Sequence, residues 1–243
     1  MKKQFRIPIT VFIIAAFISC SKGNNDLGEI NNPDNELASA AAEKGSGSSF
    51  NPTRKLDFWF PFNGSIVDVS GQPVNATIST VGADVYAEDR FGSANGAIKF
   101  NGSYGIILNG PRISANMSAS VWVKYESAAI SRYFFQSPLT FGQETDKFSG
   151  SVSTPSTTGV LSNSADAGWH HLVATYDGSY MKFYVDGNFV GEKFNQGSFS
   201  GGPSDAMFWV GGAGSTFWTG TMDDLRFYTR TLSASDVQAL YNL

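Results

Sequence analysis

The chain has 243 residues, with 17 Lys and Arg against 21 Asp and Glu, a net charge of −4. Apolar residues make up 42% and aromatics 14%, enough for a buried core in one large β-domain or two small ones. A basic footprint for nucleic acid is absent, and 26 glycines without a long helical period favour many turns between strands.

Met1-Lys2-Lys3-Gln4-Phe5-Arg6 is a short positive region. Ile7 to Ile18 follows as an apolar run too short to span a bilayer, closed by Ser19-Cys20. That order is a secretory signal pattern. Ala16-Phe17-Ile18-Ser19-Cys20 resembles the lipobox of bacterial lipoproteins, with Phe17 where Leu is usual, and Cys20 is the only cysteine of the chain. A signal peptide over 1–19 and a lipid on Cys20 are therefore expected, with several acyl chains giving stable anchoring. Removing Lys2, Lys3 and Arg6 leaves 14 basic against 21 acidic residues. The stretch 20–54 is polar and rich in Asn, Gly, Ser and Ala, and buries too little to offset its ordering entropy. It is expected to be a tether, with one domain over 55–243.

Within that domain, short strands alternate with Gly, Asn and Asp turns. Strands are expected at Leu56 to Phe62, Gly96 to Gly102, Ile106 to Leu108, and Ser118 to Tyr125. Between Glu126 and Asn163 the pattern weakens: Tyr133 to Phe135 and Leu139 to Gly142 suggest strands, and Lys147 to Val152 and Gly159 to Leu161 shorter ones. Trp169 to Gly187 is the clearest element, two alternating runs joined at Asp177-Gly178 and closed by Asp186-Gly187, a strong hairpin signal. Phe189 to Gly191, Met207 to Gly212 and Gly220 to Tyr228 complete the series. Ser233 to Asp236 opens a short helix with apolar positions at Val237, Leu240 and Tyr241. About a dozen strands without crossover helices predict an all-β, two-sheet antiparallel jelly-roll sandwich with a short C-terminal helix.

Several of these segments, in order, resemble the laminin-G-like, concanavalin A-like jelly roll. Phe60 to Gly64 with Asp68 to Gly71 is similar to that family's first strand and loop. Gly96 to Gly102 and Ser120 to Lys124 match two of its strands, Trp169 to Gly187 its hairpin, and Gly220 to Tyr228 with Leu240-Tyr241 its closing strand and helix. The resemblance covers residues 55–243 and implies packing roles for Trp122, Trp169 and His171. It is a fold shared by lectins, adhesive domains and glycosidases, so function must be argued from the site.

No Glu-x-Asp-x-Glu strand, nucleophile elbow or metal motif is present, and adjacent His170 and His171 point to opposite strand faces. Catalysis is not expected. Trp209, Tyr133 and Trp218 are the candidate stacking platforms for sugar rings; the resemblance also allows Trp218 a buried place. Modules of this type often hold a structural Ca²⁺, for which Asp68 and Asp223 are candidate ligands; the alternative is that Asp224 pairs with Arg226. The resulting expectation is a carbohydrate-binding lipoprotein of the bacterial cell envelope, at the outer membrane and facing the periplasm or the surface. Its partner would be a glycan or polysaccharide, with the membrane met through the lipid. An envelope adhesion or protein-interaction module, and a glycoside-acting enzyme with loop-borne carboxylates, are the alternatives.

Overall fold

The computed structural model describes residues 50–72, 74–78, 85–127, 132–153, 157–197, 207–214 and 216–243. The expected signal peptide, Cys20 and nearly all of the expected tether lie outside the described residues. Contacts gather residues 49–243 into one compact unit.

Among the described residues seventeen strands form, in chain order: β1 Leu56–Phe60, β2 Asn75–Ile78, β3 Tyr86–Ala87, β4 Ala97–Asn101, β5 Ile106–Asn109, β6 Met117–Tyr125, β7 Arg132–Gln136, β8 Leu139–Glu144, β9 Lys147–Ser153, β10 Thr157–Ser164, β11 His170–Tyr176, β12 Tyr180–Val185, β13 Asn188–Phe194, β14 Met207–Val210, β15 Gly212–Ala213, β16 Thr216–Phe217 and β17 Thr219–Tyr228. A helix, α1 (Ala234–Tyr241), closes the series. An eight-stranded sheet runs β13-β12-β11-β6-β17-β4-β3 with β1 also paired to β17, and a seven-stranded sheet runs β10-β9-β8-β7-β14-β5-β2. The expected jelly-roll sandwich is the observed fold. Strands β2, β3 and β16, short and weakly patterned, escaped the sequence reading.

The core lies between the sheets because alternation sends Phe58, Phe100, Val121, Leu172, Phe183 and Phe227 inward from one and Leu108, Phe134, Phe141, Phe148 and Phe208 from the other. Gly150 of β9 marks a close approach of the two sheets, since a Cβ there would lie 2.4 Å from the Phe183 ring. The hairpin turns as its residues demand. Asp177 accepts the N–H groups of Ser179 and Tyr180, and Asp186 and Gly187 take left-handed φ of 51° and 76°, the pair that a two-residue hairpin requires.

Helix α1 carries the capping box: the Ser233 hydroxyl accepts the Asp236 N–H and the Asp236 carboxylate accepts the Ser233 N–H. Its Val237 and Leu240 pack with Val173, Tyr184 and Tyr228 on the outer face of the eight-stranded sheet. Phe50, inside the stretch expected to be tether, packs against the same cluster.

Candidate functional site

The outer face of the seven-stranded sheet is half-exposed around Trp209, and the strand register assembles it. Phe208 and Val210 are buried, so Trp209 between them points outward. Directly opposed pairs then carry one row across the sheet: Thr77, Ile107, Trp209, Gln136, Thr140, Ser151 and Gly159. A second row, two residues along, joins Tyr133, Gly142, Ser149 and Leu161.

Tyr133 reaches this face through an irregularity. Tyr133 and Gln136 are three residues apart and would face opposite ways on a regular strand. A bulge between Tyr133 and Phe135 turns both Phe134 and Phe135 into the core and leaves Tyr133 and Gln136 outside. Trp209 and Tyr133 thus become diagonal neighbours, their Cα atoms roughly 8 Å apart from ordinary strand spacing and rise. Tyr133 is 51% exposed. Its ring lies over Gly142, where a Cβ would come within 2.9 Å of it, so only glycine allows that pose. Beyond it a depression of about 240 Å³ is lined by Tyr133, Glu144, Ser149, Ser151, Gly159 and Leu161. The surface offers two aromatic faces, hydroxyls and an amide. Among the seven strands Glu144 is the only carboxylate.

The third candidate platform is corrected. Trp218 is 1% exposed, its ring 4.8 Å from Phe134 and 6.1 Å from Phe100, and its indole N–H donates to the Gln143 side chain at 2.7 Å. It follows β16 into the sandwich, where burial of so large a ring outweighs any surface role.

The Ca²⁺ ligands do not come together as a cation site. Asp68 accepts the Trp59 and Ser70 N–H groups and the Ser70 hydroxyl, closing the first loop. Asp223 and Asp224 are both held by the Arg90 guanidinium, at 2.5 and 2.9 Å. Asp224 also accepts from Arg226 at 3.0 Å, as the alternative had it, and from the Trp59 indole. Arg90 and Arg226 already match these two charges, and a Ca²⁺ beside them does not fit.

The histidines separate as strand geometry requires. His171 is buried, its Nε2 2.8 Å from the Ser120 hydroxyl and its ring tilted against that of Trp122, 5.0 Å between centroids. Burial first, then the Arg226 charge, push its pKa down to about 3, so it stays neutral. His170 faces Asp186, Nδ1 to Oδ2 at 2.8 Å, and that hydrogen bond raises its pKa against the opposing effect of burial. The resulting stabilisation is full below the unfolded value near 6.5 and is lost as pH rises through the higher folded value. Urea denaturation across pH 5.5 to 9 should show wild type most ahead of His170→Gln at the acid end; an advantage growing with pH would refute the pairing.

Residues 100–238 match the laminin-G-like family model described as the concanavalin A-like lectin/glucanases superfamily. The chain belongs to this superfamily. Its description spans lectins and glucanases alike, so membership does not choose between them. No curated protein matches the chain. Among solved structures, it is similar to the binding domain of botulinum neurotoxin serotype D (TM-score 0.61, 16% identity, 78% of this chain and 51% of that one). It is also similar to the binding domain of botulinum neurotoxin DC in complex with SialylT (TM-score 0.60, 13% identity, 78% and 52%). A third match comes from work on botulinum neurotoxin type C, whose cell entry depends upon interaction with two ganglioside molecules (TM-score 0.61, 14% identity, 77% and 51%). The chain spans about half the length of these structures, and at such identities the likeness is one of fold.

Proposed function

We propose that this member of the superfamily is a non-catalytic carbohydrate-binding module, presented at a bacterial cell envelope on a tether from lipidated Cys20. The observation that carries the reading is the pairing of Trp209 and Tyr133 on one open sheet face, flanked by Gln136, Thr140, Ser149 and Ser151. Stacking surfaces with a few fixed polar groups are what a pyranose chain requires. The sheet strands bring a single carboxylate, Glu144, where glycoside hydrolysis uses two, which supports binding without cleavage. Similar folds in the toxin binding domains support a recognition role at the level of architecture.

Retention on insoluble polysaccharides, with soluble oligosaccharides as competitors, is the direct test. Wild-type protein that stays unbound on every polysaccharide and on a glycan array refutes the reading. For the anchor, cells fed a labelled fatty acid should label the wild-type protein and leave Cys20→Ser unlabelled and released from the membrane fraction. A Cys20→Ser protein that still carries label would refute lipidation at this residue.

A further inference from the structure

The opposite face of the sandwich holds a second aromatic cleft. Helix α1 covers only part of the outer face of the eight-stranded sheet. Beside its C-terminal end, Arg90, Phe91, Trp122, Trp169, Tyr241 and Asn242 line an opening of about 260 Å³. Trp169, expected to be a packing residue, is only partly buried there.

We propose that this cleft is a second carbohydrate subsite, one that takes a single pyranose ring rather than an extended chain. The inference rests on the carbohydrate-binding reading above and adds a separate place and ligand size.

Three observations carry it. First, the cleft is walled by aromatics held in fixed poses. Arg90 lies 4.3 Å from the Phe91 centroid and 4.9 Å from that of Trp122, Trp122 stacks on Tyr241 at 5.5 Å, and the Lys124 ammonium stands 5.3 Å from Trp169. Phe91 is nonetheless 69% exposed, an aromatic kept in water by a buried arginine beneath it. Second, the charge of Arg90 is already matched by Asp223 and Asp224, so the floor favours an uncharged ligand with apolar ring faces and hydroxyl edges. Third, the Trp122 indole N–H is buried without a hydrogen-bond partner among the described residues. Leaving such a donor unpaired is costly, and a ligand hydroxyl reaching it would relieve that cost. The volume lies below the roughly 300 Å³ at which pockets for drug-sized ligands begin, which fits one ring.

The test is titration of the intact protein with methyl glucoside, galactoside, mannoside and rhamnoside, followed by tryptophan fluorescence and ligand-observed NMR. At least one glycoside should bind, about tenfold more weakly to Phe91→Ala and to Trp169→Ala. Phe91 is exposed, so its variant leaves the fold intact; circular dichroism checks Trp169→Ala. If polysaccharide is retained through Trp209 while no methyl glycoside binds, the cleft proposal falls and the sheet-face reading stands. If glycosides bind equally to Phe91→Ala and wild type, or if Phe91→Ala changes only self-association by light scattering, the cleft proposal also falls. Absence of any carbohydrate binding overturns both.

Discussion

Trp209→Ala should reduce polysaccharide retention by about thirtyfold, and Tyr133→Ala by about tenfold, with little change in Tm. Truncating a central aromatic anchor at a binding surface typically costs about 2 kcal/mol, and each 1.4 kcal/mol is tenfold in affinity. The sign for stability follows from the fold: both side chains leave the sheet outward, so their removal opens no cavity in the core. A third variant separates stacking from sheet geometry. Gly142→Val places a branched side chain where the Tyr133 ring lies and should weaken binding as much as Tyr133→Ala. The double variant Trp209→Ala/Tyr133→Ala should abolish retention. Depletion assays with matched thermal melts decide it, and retention unchanged in the double variant would sink the sheet-face site.

The largest stability effect is expected at Arg90. Its guanidinium holds two buried carboxylates, and Arg90→Leu would leave Asp223 uncompensated and Asp224 with Arg226 alone. Breaking a buried ion pair by removing one partner costs about 3–5 kcal/mol, a fall in Tm on the order of 10 °C for a domain of this size. Adding Asp223→Asn to Arg90→Leu should recover much of the loss, because Asp224 keeps Arg226 and no buried charge then remains unpaired. Thermal melts of the single and double variants test this. A single variant as stable as wild type would show that solvent reaches these carboxylates freely.

The same cluster shapes the acid response. Burial and the Asp224 charge push the Asp223 pKa up to about 7, against the pull of Arg90. As pH falls from 7 towards 3.8, the folded chain takes up this proton before the unfolded one does, which adds stability. His171 acts in the opposite sense. Below pH 6.5 the unfolded chain binds a proton that the folded chain refuses until about pH 3, which removes stability. Between about 6.5 and 4 these two contributions oppose each other on one face of one sheet.

The hairpin, the closing strand and the capped helix were legible because their signals are local. Asp-Gly at a turn, alternation over seven residues and Ser-x-x-Asp before an apolar pair each specify geometry within one element. His170 and His171 were separable by the strand period alone. Trp218 was not placeable in the same way, because its neighbours Phe134, Phe100 and Gln143 come from other strands. Arg90 drew no attention at all, since its carboxylate partners are 133 and 134 residues away.

By itself, then, the sequence determined an antiparallel sandwich, its central hairpin and its C-terminal helix, through periodicity and turn chemistry. The tertiary structure decided which aromatics meet on an open face and which are core. A bulge in β7 swung Tyr133 beside Trp209, glycine at 142 let its ring lie flat, and a left-handed φ of 50° at Asp224 in β17 gathered Asp223, Asp224 and Arg226 around Arg90 and Trp59. Single-residue slips of this kind invert the face of a side chain without altering composition or period enough to be read, and they are what make the surface.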